Sequence, residues 1–116
     1  MKDLPDTMDK FTLNHITIEK VILIVDDELF NRMTLAEFCD AQKIPCKLLP
    51  GGTYAVDCFA KLIEEGKPVF KVVLLDYSMP DMNGPETAIE IVRLCSDAGL
   101  EKPTIICVTA YELESY

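Results

Sequence analysis

Val69-Phe70-Lys71-Val72-Val73-Leu74-Leu75-Asp76-Tyr77-Ser78-Met79-Pro80-Asp81-Met82-Asn83-Gly84-Pro85-Glu86 is the stretch on which the fold turns. Val69 to Leu75 is a short apolar, β-branched run that closes on an acid, Asp76. A run of that kind reads as a strand buried on both faces. Tyr77 to Gly84 reads as a loop, which Pro80 and Gly84 stiffen and turn. Asn83 then has the position of a helix N-cap, with Glu86 at capping-box spacing and Pro85 suited to the first turn. Ala88, Ile91, Val92 and Cys95 follow at i, i+3, i+4 and i+7, one face of a helix that Gly99 stops.

The same alternation extends on both sides. Upstream, Val21-Ile22-Leu23-Ile24-Val25 is a second buried strand and ends in Asp26-Asp27-Glu28. Phe30 to Ala41 reads as a helix with Phe30, Met33, Phe38 and Ala41 among its buried candidates. Cys46 to Leu49 is a weaker strand, punctuated by Pro50-Gly51-Gly52. Val56, Phe59, Ala60 and Ile63 mark the face of another helix, which ends at Gly66-Lys67-Pro68. Downstream, Thr104 to Val108 is a further apolar strand. Strands alternating with helices imply right-handed crossovers and a parallel sheet with helices on both faces.

The 116 residues suffice for one domain. We divide them into an extension, 1–20, and a folded domain, 21–116. The extension carries Asp3, Asp6 and Asp9 without a continuous apolar stretch, so it does not read as a secretory leader. His15 within it reads as an exposed side chain. No apolar run approaches the roughly 20 residues of a membrane span. A net charge of −9 makes phosphate backbones and anionic lipid poor partners, so no nucleic acid and no membrane surface are expected. The five cysteines, Cys39, Cys46, Cys58, Cys95 and Cys107, contain no Cys-x-x-Cys pair and sit in apolar stretches. They read as core filler in a reducing compartment, hence a cytoplasmic expectation.

In an open parallel sheet, ligands collect at the carboxyl ends of the strands. Asp26, Asp27 and Glu28 follow the first strand, Asp76 the third and Thr109 the fourth. Two carboxylates about 4 Å apart at an effective dielectric near 20 repel by roughly 4 kcal/mol. Three in one cleft therefore call for a proton or a cation, most simply Mg2+ with its oxygen ligands. Mg2+ keeps open positions for water and phosphate oxygens, which points to phosphoryl chemistry. A backbone carbonyl near Ser78 can face the metal. Asp76 would attack phosphorus and become an acyl phosphate, and Thr109 would hydrogen-bond the added oxygens. A calcium loop over Asp81-Met82-Asn83-Gly84 fails, because placing Gly84 sixth puts Met79 first.

Val25-Asp26-Asp27-Glu28, Leu75 to Gly84 with its Met-Pro-x-Met-Asn-Gly signature, and Val108-Thr109-Ala110 together resemble the receiver domain of two-component response regulators. The resemblance runs from about Val21 to Tyr116, with the motifs in family order. It implies a flavodoxin-like three-layer α/β/α sandwich with sheet order 2-1-3-4-5. It implies that Asp76 takes phosphate from a histidine kinase or a histidine phosphotransfer protein. Asp27 would bind Mg2+ directly, Asp26 largely through water, and the Ser78 carbonyl would be a further ligand. Thr109 would be the switch hydroxyl, and Ala110 would leave room for the phosphoryl group. A receiver of this kind catalyses at most its own phosphorylation and dephosphorylation, and no independent enzyme activity is expected.

Receivers resembling this chain carry a Lys after a fifth strand. Only Tyr111 to Tyr116 follow Ala110, too few for a helix of about 11 residues, a strand of about 5 and a closing helix. The expected sheet is therefore 2-1-3-4, with the fifth strand and last helix missing, as in a C-terminally truncated product. Thr104 to Val108 would then be an uncovered apolar edge. The alternative function is a pseudo-receiver, a non-phosphorylated interaction module. A haloacid-dehalogenase-type phosphatase fits less well, because Asp76-Tyr77-Ser78 lacks the second Asp of its signature.

Overall fold

In the computed structural model of the chain, the described residues are 17–108 and the backbone of 113–115. A single turn of 3-10 helix, Ile18–Lys20, leads into β1 (Ile22–Val25), followed by α1 (Leu29–Ala41), β2 (Cys46–Leu49) and α2 (Gly52–Glu64). Then come β3 (Val72–Asp76), α3 (Gly84–Asp97), β4 (Thr104–Val108) and a short β5 (Leu113–Ser115). Strands β2, β1, β3 and β4 lie side by side and parallel, in that order. This is the flavodoxin-like order that the resemblance to receiver domains implies.

Alternate residues of each strand serve opposite faces. Leu23 and Val25 of β1, Val73 and Leu75 of β3, and Ile105 and Cys107 of β4 enter one core with Ala55 and Phe59 of α2 and Ala88, Ile91 and Cys95 of α3. Ile24 faces the other way, into a smaller core with Ala36 and Cys39 of α1 and Cys46 of β2. Only β1 buries residues on both faces, through Leu23, Ile24 and Val25; β3 and β4 bury one face, with Leu74, Ile106 and Val108 half-buried on the other and Thr104 exposed. Phe59 and Phe70, both fully buried, meet with ring centroids 5.9 Å apart at a tilt of 55°.

Three expectations change. On α1 the buried residues are Ala36 and Cys39, whereas Phe30, Met33 and Phe38 are 78%, 50% and 62% exposed and Ala41 is exposed too. Apolar side chains occur all around this helix, so no period singles out an inner face, and the contact with β1 and β2 selects the small residues. Val69 and Phe70 precede β3 rather than belonging to it, although Phe70 is fully buried. Finally, β4 is not an open edge along its whole length. β5 pairs antiparallel with it through Ile106↔Ser115, Cys107↔Glu114 and Val108↔Leu113. The direction follows from the spacing, since a parallel return needs a crossover of a dozen or more residues, and a short link permits only a reversal. Among the described residues no helix follows β4.

Candidate functional site

Asp26 directly follows β1 and Asp76 closes the neighbouring β3, which pairs with β1 in parallel register. The pairing therefore delivers both carboxylates to one end of the sheet, with Asp27 beside them. One carboxylate oxygen from each of Asp26, Asp27 and Asp76 lies within 4.8 Å of the others. Asp26 is buried, Asp76 half-buried and Asp27 exposed, so the cluster opens to solvent on one side.

The surroundings hold these groups in place. Asp26 N–H donates to the Leu49 carbonyl at 3.1 Å. Its Oδ1 accepts from Glu28 N–H at 2.9 Å and from Asn31 Nδ2 at 3.5 Å. Ser78 N–H donates to Asp76 Oδ1 at 3.4 Å. Tyr77 N–H reaches the Val108 carbonyl at 3.0 Å and Gly84 N–H the Tyr77 carbonyl at 2.8 Å, pinning both ends of the loop. Gly84 is required there, because a Cβ would stand 2.7 Å from the Asp76 carbonyl oxygen and 3.2 Å from Cys107 Sγ. The capping box between Asn83 and Glu86 is formed as the sequence predicts.

Two neighbours were not singled out from the sequence. Arg32 Nη1 donates to the Asp26 carbonyl at 2.8 Å, bringing a guanidinium from α1 to the rim of the acidic cluster. Asn31 bridges toward both Asp26 and Glu28. Their position in the first turns of the helix after Asp26-Asp27-Glu28 was the available signal. Thr109 and Ala110 lie outside the described residues.

Burial first, then the nearby Asp26 and Asp27, raise the Asp76 carboxyl, and with the opposing Ser78 N–H bond included it moves from 3.8 to about 6. The all-oxygen donor set and this unfavourable crowding of carboxylates fit a hard divalent cation such as Mg2+. The sign of the pH effect follows. Between 3.8 and about 6 the folded chain holds a proton on Asp76 that the unfolded chain has released. Stability in Mg2+-free buffer is thus expected to fall as pH rises through that window. Added Mg2+ should raise the unfolding midpoint more above pH 6 than below it. Thermal unfolding across pH, with and without Mg2+, checks both.

The parallel order β2-β1-β3-β4 makes this a flavodoxin-like α/β domain, with a three-carboxylate cluster at the carboxyl ends of β1 and β3. A family model for the response regulator receiver domain matches residues 22–116, and the chain belongs to that family. It is 34% identical over 90 residues to the sensor histidine kinase AtsR of Burkholderia thailandensis. That match covers 78% of this chain but only 14% of the kinase, so the chain spans about a seventh of that relative's length. Among solved structures it resembles the receiver domain of the histidine kinase CKI1 from Arabidopsis thaliana, complexed with Mg2+ and BeF3−. There the TM-score is 0.71 at 24% identity, covering 80% of this chain and 67% of that one. It also resembles the co-crystal of the Saccharomyces cerevisiae histidine phosphotransfer protein Ypd1 with the receiver domain of its response regulator Ssk1. The TM-score is 0.63 at 24% identity, covering 81% of this chain and 64% of the other. No described helix is long and apolar enough to cross a membrane.

Proposed function

We propose that this chain is a phosphoacceptor receiver, taking a phosphoryl group from a histidine donor onto Asp76 and changing its surface in response. The observation that carries the reading is the convergence of Asp26, Asp27 and Asp76 at the carboxyl end of β1 and β3. Asp26, Asp27, Asp76 and the Ser78 carbonyl would hold Mg2+, which when bound neutralises the carboxylates and the phosphoryl oxygens. Asp76 supplies the nucleophilic oxygen, which forms the new O–P bond as the N–P bond breaks and its electron pair returns to the donor imidazole. Asn31 and the Glu28 N–H hold Asp26 in orientation. Thr109 would bond the added oxygens, and Ala110 would leave them room. The chain acts in this reading as a relay component, not as an independent enzyme, in the cytoplasm.

The donor would be a histidine kinase or a histidine phosphotransfer protein, as in the Ypd1–Ssk1 pair. Leu29, Phe30 and Met33 stand exposed on the first turns of α1, directly after the acidic cluster. An apolar patch beside a reacting group suits a docking partner. The double variant Phe30→Ser/Met33→Ser is expected to slow transfer from a histidine-phosphorylated partner by about tenfold or more. Labelling by a small-molecule phosphodonor should persist in that variant. The reading itself is tested by transfer from the histidine-phosphorylated protein to wild type and to Asp76→Asn. Label appearing on wild type alone supports it, and label on both contradicts the assignment of Asp76.

A further inference from the structure

The first turn of α2 is capped by a residue far along the chain. Its own N-cap position is Gly51, which has no side chain to accept a hydrogen bond. The orphan donors at that helix start go instead to the Asp81 carboxylate, 28 and 29 residues away in sequence. Asp81 Oδ2 accepts from Thr53 Oγ1 at 2.7 Å and from Thr53 N–H at 2.8 Å. Asp81 Oδ1 accepts from Gly52 N–H at 3.3 Å and from Met82 N–H at 2.9 Å. The slot is shaped for this approach. A Cβ on Gly51 would stand 2.6 Å from Asp81 Oδ2, and one on Gly52 would stand 2.8 Å from the Met82 carbonyl oxygen. Pro50-Gly51-Gly52 is therefore a receiving surface for the β3–α3 loop, beyond simple punctuation. Burial alone would raise the Asp81 carboxyl, but the bonds from Thr53, Gly52 and Met82 outweigh it and hold the group below its ordinary range.

The same loop carries the Ser78 carbonyl, between Asp76 and the buried Met79. Its ends are fixed by β4 and by the start of α3, and its middle is fixed by Asp81. We propose that Asp81 is a positioning residue for the metal site, tying the loop to the N-terminus of α2 so that the Ser78 carbonyl is preorganised as a ligand. The proposal rests on the receiver reading above. Its physical basis is that a carboxylate at a helix N-terminus forms charge-assisted bonds. A loop ordered before the ion arrives spares the binding step that ordering cost.

Calorimetric titration of the full chain with Mg2+ tests it, comparing wild type with Asp81→Ala, Asp81→Asn and Thr53→Val. Asp81→Ala is expected to weaken Mg2+ binding by roughly tenfold or more, as for other residues that orient a metal's ligands. Thr53→Val, which loses only the hydroxyl donor, should weaken it less. Asp81→Asn, which keeps an acceptor oxygen, should fall between wild type and alanine. Labelling by a small-molecule phosphodonor should be slowed at low Mg2+ and restored at saturating Mg2+. Should Asp81→Ala fail to fold, the ordering of Asp81→Asn and Thr53→Val against wild type decides the matter. Variants with a lower unfolding midpoint but wild-type Mg2+ affinity would overturn the positioning role and leave the receiver reading standing. A wild-type chain that binds no Mg2+ would overturn both.

Discussion

Gly52→Ala is expected to cost about 3 kcal/mol of stability, at the upper end of what overpacking costs. The new Cβ would collide with Thr87 Oγ1 and lie 2.8 Å from the Met82 carbonyl oxygen and 3.0 Å from Met82 Cβ. Neither of the two nearest contacts can yield cheaply. Thr87 is fully buried and its hydroxyl donates to the Asn83 carbonyl at 2.8 Å, so rotation would break that bond. The Met82 carbonyl belongs to the backbone that leads into α3. Moving α2 away instead would pull Gly52 and Thr53 off Asp81. For a domain of this size the loss corresponds to a fall in Tm on the order of 15 °C, read by thermal unfolding. Thr87→Ala removes the closest obstacle, so the double variant should lose less than the sum of the two single losses. Strict additivity would show that the collision is relieved by some other movement.

Asp76→Asn is expected to act in two opposite directions. Phosphoryl acceptance should be lost entirely, because a carboxamide lacks the anionic oxygen that forms the acyl phosphate. Stability in Mg2+-free buffer should rise at neutral pH. The wild-type carboxylate is ionised above about pH 6 against burial and against Asp26 and Asp27, and the amide removes that repulsion. Added Mg2+ should accordingly stabilise Asp76→Asn less than wild type. A merely damaged fold would lose both acceptance and stability. The divergence of the two readouts distinguishes removal of a reacting group from disruption of the sheet.

The sheet was legible because its signals are local. β1, β3 and β4 are apolar runs that feed the larger core, and the acids at the ends of β1 and β3 mark the ligand end directly. The start of α3 was legible for the same reason, since Asn83 and Glu86 satisfy each other within one turn. α1 resisted because Leu29, Phe30, Met33 and Phe38 supply apolar residues on several sides, while its contact face is made by Ala36 and Cys39. Asp81 resisted because its partners, Gly52 and Thr53, lie far upstream. A helix opening on Gly51-Gly52 without a capping side chain was a sign that the cap comes from elsewhere. The reversal into β5 was hidden because Leu113–Ser115 is three residues long and carries no period of its own.

The most direct test of the central claim is intact-mass measurement of the chain after incubation with Mg2+ and a small-molecule phosphodonor. One added phosphoryl group is expected on wild type, none when Mg2+ is chelated, and none on Asp76→Asn. No adduct on wild type, or an adduct that survives Asp76→Asn, would contradict it.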